Sequence, residues 1–115
     1  MNKIRLVVNN EDKRNEKEIF FIKKELQSIL NLYAKMVSNG SWKDYSFTSG
    51  IKEVSFNVYQ RASEKPVLRI LKNLKPRYFN EKYLIKDKNG AILKKSENLN
   101  QLISKTSWNK LKLVK

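Results

Sequence analysis

Arg61 and Arg69 bracket the stretch RASEKPVLRI, with Ser63 and Glu64 between them. A guanidinium presents a planar fork of donors that matches a phosphate or a carboxylate. Two arginines on either side of one tight loop therefore read as an anion clamp, with Glu64 orienting them. The same residues also make a hairpin latch, in which Glu64 pairs with Arg61, Arg69 or both, because side-chain contacts near turns are usually local. Pro66 sets its own φ and holds Lys65 extended, which starts the second strand of that hairpin. GSWKDY at 40–45 has a similar double meaning. Trp42 reads either as a lid on the core with Asp44 capping a turn, or as an exposed Trp and Tyr platform for stacking a base.

A third set of residues is defined by charge. The chain carries 25 Lys and Arg against 11 Asp and Glu, a net charge of +14. Residues 1–18 contribute +1 and residues 19–64 contribute +2, while residues 65–115 contribute +11. The excess belongs to the C-terminal half, as expected for one basic region rather than an even coating. The candidate contacts among its cations are Arg69, Lys72, Lys75, Arg77, Lys82, Lys86, Lys94 and Lys95, with Tyr59 and Arg61 on the preceding strand. Basic residues interleaved with aromatics on a sheet face are what binders of RNA or single-stranded DNA use. The opposing explanation is compositional. Twenty of the cations are Lys and Asn occurs 13 times, a pattern that an AT-rich genome writes on any exposed surface.

Other chemistry is excluded or left without support. There is no Cys and no His, which removes disulfides, thiolate nucleophiles and the commonest general base and metal ligand. No Gly-rich phosphate loop, nucleophile elbow or metal-ligand spacing appears. The chain is expected to be no enzyme, with no cofactor and no metal. The apolar run Ile4–Val8 is interrupted by Arg5 and is too short for a signal peptide or a membrane span, so a cytoplasmic, soluble protein without membrane contact is expected.

The elements that must carry these residues follow from periodicity. Residues 9–18, NNEDKRNEKE, are polar with mixed charge, which makes 1–18 a flexible N-terminal arm, with Lys3–Val8 as an optional short strand. Leu26, Ile29, Leu30, Tyr33, Met36 and Val37 recur with helical spacing, and SNG at 38–40 stops that helix. No capping residue immediately precedes KKEL. The period then changes to two: Tyr45 and Phe47, then Val54, Phe56 and Val58, then Leu68 and Ile70. KYLIKD and AILKK flank Asn89-Gly90, a strong hairpin signal. Ser96 is placed to cap a short helix bearing Leu99, Leu102 and Ile103, and KLKLVK at 110–115 reads as a closing strand or extended tail.

Three segments, ELQSILNLYAKMVSNGSWKDY (25–45), RASEKPVLRI (61–70) and YLIKDKNGAILK (83–94), resemble domain-of-unknown-function family 2794, small proteins chiefly of alphaproteobacteria. The resemblance runs through Glu25-Leu26, Leu32-Tyr33, Gly40, Trp42, Arg61-Ala62-Ser63-Glu64, Pro66, Arg69-Ile70 and Gly90. Ile22 departs from it, standing where a polar capping residue belongs. The resemblance implies a bacterial cytosolic protein and implies no activity.

The sum is one α+β domain over 19–115. A long N-terminal helix packs on one face of an antiparallel sheet of about five strands, followed by a short C-terminal helix and a terminal strand. The face opposite the helix is the natural place for function. Two functions fit: a non-catalytic basic module that contacts the backbone of RNA or single-stranded DNA, or an assembly subunit that pairs with a protein partner or a second copy through a sheet edge.

Overall fold

The computed structural model describes residues 18–61, 65–106 and 108. The arm over 1–17, the loop residues Ala62–Glu64 and the expected closing strand at 110–115 lie outside the described residues. The pairing expected for Glu64 lies outside them too.

Helix α1 spans Lys23–Ser38. Its start lacks a polar N-cap side chain, as the sequence indicates at Ile22. Glu25 compensates by reaching back, its Oε1 accepting the Ile22 N–H at 2.8 Å. A carboxylate in the first turn is also favoured by the helix dipole. At the other end Gly40 takes a left-handed conformation, φ +83°. Its N–H donates to the Val37 carbonyl at 3.0 Å, and Ser41 N–H donates to Met36 at 2.9 Å, so the last carbonyls are satisfied.

The buried stripe of α1 is Glu25, Ile29, Leu32 and Met36. Ile29 and Met36 lie in it as expected and Leu26 and Tyr33 pack against the core at its margin, while the expected face is corrected at Leu30 and Val37. Leu26 and Tyr33 are only partly buried, and Leu30 and Val37 are exposed. The large apolar residues between Leu26 and Val37 spread over about 160° of the helix at 100° per residue, an arc wide enough to centre a buried stripe in more than one place. The observed stripe passes through a charged residue, which an apolar pattern does not find.

Five strands follow as an antiparallel meander in the order β1-β2-β3-β4-β5. They are β1 Asp44–Ser49, β2 Glu53–Tyr59, β3 Leu68–Asn73, β4 Tyr83–Asp87 and β5 Ile92–Ser96. Phe47 pairs with Phe56, Phe56 with Ile70, and Ile70 with Ile85. That register carries the alternating apolar residues across the sheet on one face. Val54, Phe56 and Val58 lie on this face as expected, in one cluster with Ile29, Leu32 and Met36 of α1. The β4–β5 hairpin turns at Asn89-Gly90, with Gly90 at φ +87°. Asp87 Oδ1 accepts the N–H groups of Asn89 and Ala91, both at 2.9 Å.

Helix α2, Leu99–Lys105, is capped by Asn98, whose side chain accepts the Gln101 N–H at 3.0 Å. The expected cap, Ser96, instead ends β5 and accepts the Asn98 N–H. Leu99 and Leu102 join the same core cluster as α1, with Ile103 packed against it, so both helices cover one face of the sheet. Trp42 is buried and meets Trp108 edge-on at 5.8 Å. It is a lid on the core, which removes the stacking-platform reading for this residue. No helix among the described residues is long and apolar enough to cross a membrane.

Candidate nucleic-acid interface

The second face of the sheet carries the alternate residues of each strand. The register aligns Ser46, Asn57, Arg69 and Lys86 in one row. The next row is Thr48, Ser55, Leu71, Leu84 and Lys95. Leu71 and Leu84 are buried, as are Ser55 and Asn57. The buried polar groups are satisfied by one another. Asn57 Nδ2 donates to Ser46 Oγ at 3.1 Å and to Thr48 Oγ1 at 2.9 Å, and its Oδ1 accepts from Ser55 Oγ at 2.9 Å. Ser46 Oγ also lies 3.0 Å from the Tyr59 hydroxyl. Short hydroxyl and amide side chains thus form a closed network that fixes this side of the sheet.

Beside that network Arg69 stands directly opposite Lys86 across β3 and β4. Arg69 is exposed and Lys86 half-buried. Like charges directly opposite each other destabilise a sheet, and among the described residues neither has an ion-pair partner (the ion pairs involve Lys72 and Lys95). Two cations opposite each other in the register, with no carboxylate paired to either among the described residues, have the chemistry to hold an anion. Lys95, one row away, is exposed and reaches Glu81 at 3.9 Å. Arg61 is exposed beyond the end of β2.

The other cations of the basic half are distributed differently. Lys75 and Arg77 are exposed in the β3–β4 connection. Lys82, at its end, lies 5.5 Å from the centre of the Tyr83 ring. Lys94 pairs with Ile85 and so falls toward the helix-facing side of the edge strand. Tyr59 is half-buried and its hydroxyl is engaged, so it supports the face rather than offering a free ring.

Lys72 is a correction. It points to the helix-facing side and is 0% exposed, which removes it from any contact with phosphate. Its Nζ lies 2.6 Å from Glu18 Oε1 and 2.8 Å from Glu25 Oε1, and donates to the Phe20 carbonyl at 3.0 Å. Three donors thus meet three acceptors. Glu25 Oε2 accepts the Tyr83 hydroxyl. Burial, and then the hydrogen bond to Glu25, push the Tyr83 phenol well above its ordinary range, so it remains a donor. Alternation explains the misplacement. Leu68, Ile70 and Lys72 share one face, and the third of them is a charge in a core position.

A cleft of about 140 Å³ lies beside this centre, lined by Ser28, Tyr83, Asn98 and Asn100 among others. Ser28 Oγ donates to Asn100 Oδ1 at 2.6 Å, and Glu25 and Tyr83 are bonded to each other. Ser28, Asn100, Glu25, Tyr83 and the capping Asn98 are thus used by the fold.

Tyr78 and Phe79 are surface residues that periodicity does not single out. They lie in KPRYFNEK, 75–82, and are 63% and 81% exposed. Their signal in the sequence is an aromatic pair flanked by Lys75, Arg77 and Lys82. It has neither helical nor strand spacing, so it reads as a plain connection.

No curated protein and no solved structure matches the chain. The model of one family does match, over residues 19–103, which takes in α1, the whole meander and most of α2. The chain belongs to that family, described as Protein of unknown function (DUF2794).

Proposed function

We propose that this is a non-catalytic module that binds the backbone of RNA or single-stranded DNA through the second face of its sheet. Arg69 opposite Lys86, with no carboxylate paired to either among the described residues, is the observation that carries this reading. A fold keeps such a pair at a cost to itself, and a bound phosphate reverses the sign of that cost. Lys95, Arg61 and the exposed cations of the β3–β4 connection extend the positive surface. Backbone contacts of this kind are tolerant of sequence and release counterions, so binding weakens steeply with salt. The test is fluorescence anisotropy with a labelled random oligonucleotide at low and physiological salt. Charge reversal at Lys86, and separately at Lys82, lowers affinity for all sequences alike. An absence of binding by the wild type at low salt rejects the reading.

A second reading, an assembly subunit pairing through a sheet edge with a second copy, is favoured by β1. In a chain of 25 cations this edge strand, DYSFTS, contains none. The opposite edge, β5, carries Lys94 and Lys95, the usual protection of an unpaired strand. Tyr45 and Phe47 are exposed on β1, and Leu30 and Val37 are exposed on α1. Edge pairing by a second copy predicts a dimer in sedimentation velocity that Phe47→Lys converts to a monomer. A wild type that sediments as a monomer at high concentration rejects it.

A further inference from the structure

We infer that the β3–β4 connection is a base-stacking arm, which makes a single strand, rather than a duplex, the ligand of this protein. The inference rests on the nucleic-acid reading of the sheet face and adds the part of the ligand that the cations do not read.

Tyr78 and Phe79 are adjacent, and both are more exposed than any other aromatic ring of the described chain. Neither contacts another aromatic ring among the described residues, although Phe20, Phe21, Tyr33, Trp42, Tyr45, Phe47, Phe56 and Trp108 all do. Single exposed apolar residues need no explanation, but two neighbouring rings in water form a patch that covers something.

The arm that carries them is fastened. Asn73 N–H donates to the Lys82 carbonyl at 2.7 Å, and the Asn73 side chain donates to the Glu81 carbonyl. Within the arm, Glu81 N–H donates to Tyr78 at 2.9 Å and Lys82 N–H to Phe79 at 3.1 Å. The short 3₁₀ turn Phe79–Glu81 therefore presents the rings from a defined scaffold. Preorganised rings lose little entropy on stacking.

Its position links it to the cations. The arm leaves β3 at Asn73, four residues beyond Arg69, roughly 13 Å along an extended strand. Lys95 shares the second face with Arg69 and Lys86, and it reaches Glu81 of the arm at 3.9 Å. Phosphates at Arg69 and Lys86 and bases at Tyr78 and Phe79 are thus reached by one extended strand. A duplex keeps its bases stacked on each other and offers the rings nothing, whereas every base of a single strand has a free π-face. Exposed aromatics among cations also suit a lipid surface. Continuity with the Arg69–Lys86 row favours nucleic acid.

The test uses the full chain and three labelled probes: an oligothymidylate, the same strand with abasic sites in place of its bases, and a duplex of equal length. Wild type is expected to bind the base-bearing strand about ten-fold or more tighter than the abasic strand. It is also expected to bind it more tightly than the duplex. Tyr78→Ala with Phe79→Ala removes that preference and leaves abasic-strand affinity unchanged. Both rings are exposed, so the variant keeps the fold, and the abasic comparison on wild type stands without any variant. Equal wild-type affinity for the two strands overturns the stacking arm while leaving the phosphate reading intact. No binding to any probe overturns both. Binding to phosphatidylserine vesicles that the double variant loses, with no discrimination between strands, overturns the arm in favour of a lipid surface.

Discussion

Lys72 Nζ lies 2.8 Å from Glu25 Oε1, joining the third strand to the first turn of α1 across 47 residues of sequence. The pair is buried and fully bonded, with Tyr83 on the second carboxylate oxygen. Desolvating two charges offsets much of their attraction, so such a pair adds little net stability. Its consequence is specificity. A helix with so wide an apolar arc has one orientation in which Glu25 meets Lys72, and that orientation buries Leu32 and exposes Leu30.

Removing one partner should therefore be costly. Lys72→Met leaves the Glu25 carboxylate buried beside Tyr83, and we expect a loss of about 3–5 kcal/mol in urea denaturation. Adding Glu25→Gln should recover part of it, because the remaining group is neutral and still accepts from Ile22 and Tyr83. Glu18 is 40% exposed, and Glu18→Ala should change stability by only about 0–1 kcal/mol after solvent screening. A loss below about 1 kcal/mol for Lys72→Met would show that the centre is hydrated.

The orientation of α1 yields the next expectation. Ile29 is 0% exposed and Leu30 is 41% exposed. Ile29→Ala should cost about 2–5 kcal/mol through reduced burial and a residual cavity, and Leu30→Ala about 0.5 kcal/mol, as at an ordinary surface site. The comparison is internal to two adjacent residues, so chemical denaturation of the two variants decides it. Equal losses would mean that the helix is rotated from the orientation described.

Alkaline pH probes the same centre through Tyr83. Its phenol is raised above the ordinary value near 10, by burial first and by Glu25 second. A raised pKa contributes stability in full below the unfolded value and loses it as pH rises. Above pH of about 10 the unfolded chain releases this proton while the folded chain retains it, so folding becomes less favourable. The stability advantage of wild type over Tyr83→Phe should then shrink between pH 9 and pH 11, about one unit to either side of the unfolded value, in urea titrations. A constant difference would place the phenol in contact with water.

The fold was legible wherever one face of an element is apolar and the other polar. Val54, Phe56 and Val58 alternate with Ser55 and Asn57, and Asn89-Gly90 marks its own turn, so both survive intact in the structure. What was not legible has a common cause. Glu25 and Lys72 are charges in core positions, and each becomes intelligible only once the other is adjacent. A pattern that counts charges as surface turns the helix by about one residue and puts Lys72 on the outside. The α2 cap moved from Ser96 to Asn98 because β5 runs to Ser96, three residues past its last apolar residue, Leu93. On the candidate face, Arg69, Lys86 and Lys95 stand out in the sequence as cations, but their shared row and neighbouring row follow from the register. Tyr78 and Phe79 required the arm itself.

The Arg69–Lys86 pair separates function from stability in a single substitution. Arg69→Glu places a carboxylate opposite Lys86 across β3 and β4. Replacing a like-charge cross-strand pair by an opposite-charge pair should stabilise the sheet by about 0.2–1 kcal/mol, read as a higher urea midpoint with an unchanged slope. The same change removes one cation from the proposed phosphate track and neutralises its neighbour. Affinity for a random single strand should fall, and the dependence of log affinity on log salt should become shallower by about 0.7 for each phosphate no longer neutralised. A variant that is more stable and binds worse is the signature of a cation pair retained for a ligand. If Arg69→Glu is more stable and binds equally well, the pair is a compositional accident of a lysine-rich chain and the phosphate track lies elsewhere. If it is less stable, Arg69 has a structural partner that outweighs its repulsion from Lys86.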